Sequence, residues 1–209
     1  ASDAFRRDGA DWDETRALGL PAAAIEAALL DALPPRLGRL LDIGAGTGRL
    51  LELVAPRVAS ALGVDASREM LALARGRLAE KGLAGRCAVR QADMYRLPLA
   101  DDSFDAVTLQ MVLHYAEDPA AAVAEAARVL RPEGTLVILD LAAHGRTELL
   151  ERHKHRWPGF DDAALAGWLG QAGCALADPL TIEGGPLPVR LWPARRLVVA
   201  GGPVSVLAF

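Results

Sequence analysis

The 209 residues fit a single domain that can bury most of its apolar surface, and a content of 52% hydrophobic and 24% charged residues is typical of a globular protein. The net charge of −4 argues against nucleic-acid binding by this chain alone, and no run of about 18 apolar residues predicts a membrane span. The charged first residues lack the apolar core of a signal peptide, so we expect a cytoplasmic protein whose two cysteines, Cys87 and Cys174, are buried thiols rather than a disulfide or a metal site.

Helical patterns alternate with short apolar runs along most of the chain, which predicts β-α-β units and a parallel sheet. The predicted elements, in chain order, are a helix over 22–33, a strand over 39–43, a helix from Leu50, a strand over 61–64, a helix from Ser67 to near Gly82, strands over 87–91 and 104–109, a helix over 120–130, a strand over 135–141 and a helix over 161–172. Segments 175–182 and 189–199 predict a terminal antiparallel hairpin. Pro193 in that hairpin predicts a bulge or an edge position, because proline cannot donate to the ladder.

A glycine-rich turn follows the first predicted strand. Asp42 ends that strand, and glycines occupy positions 44, 46 and 48 before the next helix. A strand that runs through such a turn into a helix N-terminus is a cofactor cradle in open α/β sheets, because glycine lets the backbone approach a ligand closely. A dinucleotide fingerprint needs its third glycine at position 49, where Arg49 stands. Asp42 also suits a cationic group better than a phosphate.

Two more acidic residues follow predicted strands. Asp65 ends the second strand about twenty residues after Gly44, a separation suited to accepting hydrogen bonds from ribose hydroxyls. The alternative is that Asp65 caps the helix that Ser67 begins. Asp93 follows the third strand, where an aspartate by itself is more often a turn or cap residue.

The D-x-G-x-G-x-G pattern of residues 42–48, together with Asp65 and the Asp93-Met94 pair, resembles the class I S-adenosyl-L-methionine (AdoMet) methyltransferases. The Leu113-His114 pair after the fourth predicted strand resembles the ubiquinone/menaquinone-biosynthesis type within that class. The resemblance implies a Rossmann-like doubly wound α/β sheet, mostly parallel, with an antiparallel C-terminal hairpin. It also implies one compact unit in which residues 1–36 form a helical cap or lid over an AdoMet-binding domain of residues 37–209. The cofactor-binding residues that it implies are Asp42, Gly44, Ala45, Gly46, Gly48, Asp65, Ala66, Met70, Asp93, Met94 and Gln110, and the cofactor product is S-adenosyl-L-homocysteine.

The residues that leave the fourth strand lie at the carboxyl end of the sheet, where ligands bind in such folds. His114 there is either a general base for an acceptor alcohol or a packed structural histidine, whereas a thiol or enolate acceptor needs no strong base. Segment 151–157 predicts a solvated helix face or a pocket lid, in which the spacing of His153 and His155 disfavours a shared metal ion. The predicted substrate-pocket residues are Trp12, Arg16, His114, Tyr115 and Trp157.

Three segments, 13–16, 153–155 and 188–192, resemble a subgroup in which such a domain is fused behind an arsenic-repressor-type winged-helix regulator. The resemblance as a whole implies methyl transfer from AdoMet to a small-molecule acceptor by direct displacement. The alternative is a module that senses AdoMet or S-adenosylhomocysteine for a transcriptional regulator without catalysis; a nicotinamide-dependent dehydrogenase is a third. A homodimer or a fused regulator domain is the expected partner.

Overall fold

The computed structural model describes residues 18–146 and 154–198. The α-helices in this part of the chain are α1 (Ala22–Ala32), α2 (Arg49–Val54), α3 (Arg68–Glu80), α4 (Pro119–Val129) and α5 (Asp162–Gln171). The strands are β1 (Leu37–Ile43), β2 (Val58–Asp65), β3 (Cys87–Gln91), β4 (Phe104–Gln110), β5 (Leu130–Leu141), β6 (Cys174–Leu176), β7 (Leu180–Ile182) and β8 (Val189–Arg196). The predicted alternation of helices and strands is confirmed.

The strands form one eight-stranded sheet in the order β3-β2-β1-β4-β5-β8-β6, with β7 paired to β8. Strands β1 to β5 pair in parallel, whereas β8 is antiparallel to β5, β6 and β7. The strand order reverses at β1, which lies between β2 and β4. This reversal opens a crevice at the carboxyl ends of the strands, which is where ligands bind in doubly wound sheets.

Two apolar clusters cover the two faces of the sheet. Alternate residues of β5 enter different clusters: Val137 and Leu139 join the cluster that holds Ile25 of α1, while Leu136 and Ile138 join the other. All four β5 residues are completely buried. A parallel strand buried on both faces explains why the central strands appear in the sequence as continuous apolar runs.

Side-chain caps begin three of the helices where the sequence predicts them. Ser67 accepts a hydrogen bond from Met70 N at the start of α3. Asp118 and Asp161 do the same for α4 and α5, with Ala121 N and Ala164 N as donors. These bonds satisfy backbone N–H groups that a helix leaves unpaired in its first turn.

The terminal hairpin is confirmed. The predicted edge position of Pro193 is wrong, but on the β6/β7 side of β8 the register shifts by one residue around Pro193, as at a bulge. Strand β8 is interior, and Pro193 lies opposite Val137 of β5 without a change in register. In an antiparallel strand the N–H and C=O of one residue point toward the same neighbour. The Pro193 carbonyl accepts from Ala177 N, so its nitrogen faces the interruption between β6 and β7. Pro193 therefore costs the β5–β8 ladder no hydrogen bond.

Both cysteines are free and buried, as predicted. Across 18–146 and 154–198, no helix has both the length and the apolar character that a membrane crossing requires. Residues 1–17 of the predicted cap over 1–36 lie outside the described residues, and its role as a cap or lid stays a prediction.

Candidate functional site

The glycine turn lies at the carboxyl end of β1, between β2 and the segment that leaves β4. Gly44 N and Ala45 N both donate to Val64 O, at 2.8 and 2.9 Å. Gly44 has φ +77°, and a Cβ there would lie 2.1 Å from Val112 Cγ2. Gly46 has φ +52°, and an added Cβ would meet no atom of the described residues within 4 Å. The turn is thus packed on one side and open on the other, as a ligand cradle must be.

Asp65 fixes this turn through both carboxylate oxygens. Oδ2 accepts from Gly46 N at 2.9 Å, and Oδ1 accepts from Ser67 N at 2.8 Å. The capping side chain of α3 belongs to Ser67, so Asp65 is not the cap of that helix. A carboxylate has about four lone-pair positions, so each oxygen retains capacity for a further donor. Asp65 therefore lies where a ribose-binding acid is predicted, and it also shapes the turn.

Asp42 is a buried carboxylate beneath the turn. Its exposed fraction is 3%, and its Oδ1 accepts from Thr108 Oγ1 at 2.7 Å. Burial raises the pKa of Asp42 from 3.8 to about 7; the Thr108 bond lowers the pKa in part, and the nearby Asp65 charge raises it further. A positive charge close to Asp42 would favour its ionised form. Thr108 is a site residue that the sequence analysis missed, because a threonine inside an apolar strand carries no signal of its own.

We expect the free energy of unfolding to depend on pH because of the buried Asp42 carboxyl group. Between about pH 4 and pH 7 the folded protein keeps a proton that the unfolded chain has lost, so the free energy of unfolding decreases as the pH rises. Asp42→Asn can still accept from Thr108 but cannot ionise. Its stability advantage over the wild type should increase by about 1–2 kcal/mol from pH 5 to pH 7 in urea unfolding.

The matched control is Asp178→Asn, which changes an exposed carboxylate between β6 and β7 and should leave the pH dependence of stability unchanged. Parallel pH profiles for the wild type and Asp42→Asn would show that Asp42 titrates in its ordinary range.

The segment after β3 forms a tight turn. Asp93 Oδ1 accepts from Tyr95 N at 2.9 Å, and Arg96 N donates to the Asp93 carbonyl at 3.2 Å. Asp93 is exposed and Met94 is half-buried against the apolar cluster of β4 and β5. Asp93 is thus a turn residue in this structure. The adenine-binding role of Asp93 stays a prediction, and so do the cofactor-binding roles of Met94, Ala66, Met70 and Gln110.

A buried histidine–aspartate pair lies beyond the turn, where β4 ends. His114 and Asp140 are both completely buried, and Nδ1 lies 2.7 Å from Asp140 Oδ1. Asp140 also accepts from Leu113 N and Leu141 N, both at hydrogen-bonding distance. When Asp140 is ionised it can only accept, which assigns the proton of this bond to Nδ1. The sequence analysis missed Asp140, although an acid inside the apolar run of β5 was an available signal.

Of the two alternatives for segment 151–157, the helix face is wrong for the described residues 154–157, which form a turn and bends, whereas the pocket lid stays a prediction. Arg156 N and Trp157 N both donate to His114 O, at 2.8 and 3.2 Å. These bonds bring the buried ring of His155 to 4.3 Å from the ring of His114. His155 therefore contributes to the site, against the expectation of a solvated face.

The predicted pocket residues are brought together only in part. Tyr115 lies 4.2 Å from the His114 ring, and Trp157 Nε1 donates to Ala116 O at 2.8 Å. Trp157 is half-buried against the apolar cluster of β4 and β5. Trp12, Arg16 and His153 lie outside the described residues.

The sheet order defines a Rossmann-like protein. The open glycine turn and the strand-end acid Asp65 lie at the carboxyl ends of its strands beside the reversal of strand order, where such sheets bind ligands. Residues 41–138 match the family model described as Methyltransferase domain. This match spans just under half of the chain, and together with the relatives described below it supports a class I AdoMet-dependent methyltransferase domain, whose expected cofactor is AdoMet.

Individual relatives agree with this assignment. The chain is 40% identical over 114 residues to a phosphatidylethanolamine N-methyltransferase of Cereibacter sphaeroides, a segment that covers 54% of this chain and 56% of the relative. It is 38% identical over 108 residues to a ubiquinone/menaquinone biosynthesis C-methyltransferase of Geotalea daltonii, covering 50% and 46%. The chain thus spans about half the length of the curated relatives it matches.

Among solved structures, the fold is similar to that of the YcgJ protein of Bacillus subtilis. The TM-score is 0.74 at 21% sequence identity, and the alignment covers 85% of this chain and all (100%) of the other. At this identity the likeness establishes the fold alone.

Proposed function

We propose that the protein is an AdoMet-dependent methyltransferase that acts on a small-molecule acceptor by direct methyl displacement. The observation that carries the proposal is the open glycine turn with Asp42 beneath it and Asp65 bonded to Gly46. Two carboxylates beside the turn repel a pyrophosphate but attract the positive charges of AdoMet. This charge pattern disfavours a nicotinamide dinucleotide at the same place.

The methionine part, the ribose and the adenine of AdoMet each have a candidate partner among the residues of the site. The open side of Gly46 admits the methionine part, and ionised Asp42 stabilises a positive charge there. The remaining lone pairs of Asp65 accept from the ribose hydroxyls. Asp93 and the Met94 backbone, at the end of β3, hold the adenine. The bound cofactor supplies a methyl group activated on a sulfonium sulfur, and the protein holds donor and acceptor in line.

A small acceptor agrees with the net charge of −4 and with the relatives, which are named for methylating a phospholipid amine and for quinone biosynthesis. His114 and Tyr115 lie at the acceptor end. Because Asp140 holds the Nδ1 proton, Nε2 is the atom of His114 that can accept a proton from an acceptor alcohol. The His114 ring is completely buried against His155, so His155 must move before an acceptor can reach it. An acceptor that is already nucleophilic needs no such movement.

The test is a methyl-transfer assay with labelled AdoMet and the small-molecule fraction of a bacterial extract. We expect label in a small-molecule product and release of S-adenosylhomocysteine, and neither with Asp65→Ala. Tight binding of S-adenosylhomocysteine without product from any acceptor pool would contradict the proposal and favour a sensing module.

A further inference from the structure

Arg49 is the first residue of α2, directly after the last glycine of the turn. Its guanidinium makes two hydrogen bonds to Glu26 of α1, from Nε at 2.8 Å and from Nη2 at 3.0 Å. The Glu26 carboxylate raises the pKa of Arg49 above its usual range through these bonds. A bidentate arginine–carboxylate pair fixes direction as well as distance. The pair therefore fixes the start of α2 relative to α1.

Side chains of α3 also contact the glycine turn, in addition to Glu26 of α1. Arg77 of α3 donates to Thr47 Oγ1 at 3.1 Å. Glu52 of α2 lies 3.4 Å from Arg49 Nη1 and 3.4 Å from Lys81 Nζ, which joins the Arg49 pair to the end of α3. Thr47 and Arg49, the two neighbours of Gly48, are each bonded to a side chain of a different helix.

The start of α2 needs this support because its own cap cannot provide it. The N-cap of α2 is Gly48, which has φ +76° and no side chain to accept from the first turn. Helices α3, α4 and α5 are fixed by Ser67, Asp118 and Asp161 instead. Helix α2 has six residues, so its end and its start are close to the turn.

We propose that Glu26 and Arg49 are a positioning pair that holds the glycine turn in its cofactor-binding shape from outside the site. The inference rests on the proposed function, because it concerns the same cofactor turn. Neither side chain needs to touch the cofactor. Breaking the pair frees Arg49 and the start of α2, so cofactor binding must restore the order that the pair supplies in the wild type.

A direct role for Arg49 makes the opposite prediction for Glu26. If Arg49 attracted the cofactor carboxylate itself, removing the negative charge of Glu26 would release the arginine and tighten binding. If the pair positions the turn, removing either partner weakens binding. The sign of the Glu26→Gln effect therefore separates the two roles.

The experiment is calorimetric titration of S-adenosylhomocysteine into the wild type, Glu26→Gln, Arg49→Gln and the double variant. We expect each single substitution to raise Kd by about 3- to 30-fold, the range of couplings that act through a neighbouring element. Because the two residues act as one unit, the double variant should bind within about two-fold of the weaker single variant. Circular dichroism and thermal unfolding check that each variant is folded.

The matched control is Asp162→Asn, which breaks another bidentate pair, that between Asp162 of α5 and Arg190 of β8, away from the glycine turn. Its Kd should equal that of the wild type. Tighter binding by Glu26→Gln, an unchanged Kd in both single variants, additive effects in the double variant, or an equal loss in Asp162→Asn would overturn the positioning role. A wild-type protein that does not bind S-adenosylhomocysteine would overturn the proposed function as well, so the two failures are distinguishable.

Discussion

Asp65→Ala is expected to weaken binding of S-adenosylhomocysteine by about 100-fold or more. Hydrogen bonds to a charged acceptor contribute about 1.5–3 kcal/mol each, and the substitution removes the acceptor that we propose for the ribose hydroxyls. It also removes the acceptor for Gly46 N and Ser67 N, so the turn and the start of α3 lose a common anchor. Calorimetric titration measures the change in Kd.

The fold should survive Asp65→Ala, because Asp65 is half-buried at a strand end and outside both apolar clusters. Far-UV circular dichroism checks this point. Asp178→Ala removes an exposed carboxylate and should bind like the wild type. A Kd for Asp65→Ala within about three-fold of the wild-type value would refute the placement of the ribose, since even one charged hydrogen bond is worth more.

Asp140→Ala is expected to lower the free energy of unfolding by about 3–5 kcal/mol, because it removes the shared acceptor of several buried donors, each of which costs about 1–3 kcal/mol when left unpaired. The substitution leaves His114 Nδ1, Leu113 N and Leu141 N without their acceptor in a completely buried site. Each such unpaired group carries its own desolvation cost. Urea unfolding followed by circular dichroism measures the loss.

Asp101→Ala is the control for Asp140→Ala. Asp101 pairs with Arg128, but its side chain is 71% exposed, so its removal should cost about 1 kcal/mol or less. A loss for Asp140→Ala as small as that of Asp101→Ala would mean that solvent or a neighbouring group replaces the carboxylate, and that the pair does not organise the acceptor end.

Much of the fold could be predicted because its signals are local. Strand β3 has the predicted bounds, and helices α3 and α5 begin within one residue of the predicted starts, Ser67 and Asp161, which the structure shows to be their caps. A cap, a turn glycine and an apolar run act on neighbours a few residues away, so a single sequence contains them. The cofactor turn was found for the same reason, since Asp42 to Gly48 form one continuous motif.

The arrangement of His114, Asp140 and His155 was less predictable than the glycine turn, because its contacts join residues that are distant in the sequence. His114 and Asp140 are 26 residues apart, and nothing in either neighbourhood predicts that they meet. The segment of His155 was expected to be a solvated helix face or a pocket lid. His155 is buried, because two backbone bonds to His114 O hold its segment at the end of β4. Those bonds exist only after the sheet has assembled.

By itself, the amino-acid sequence determined most of the helices and strands and the continuous glycine turn, because backbone preferences and short-range hydrogen bonds depend on adjacent residues. The tertiary structure decided which strands pair, that β8 accommodates Pro193 in the sheet interior, and that Glu26 meets Arg49 and Asp140 meets His114. The physical reason is that a side chain far along the chain acquires a partner only when the packed sheet and helices bring the two together.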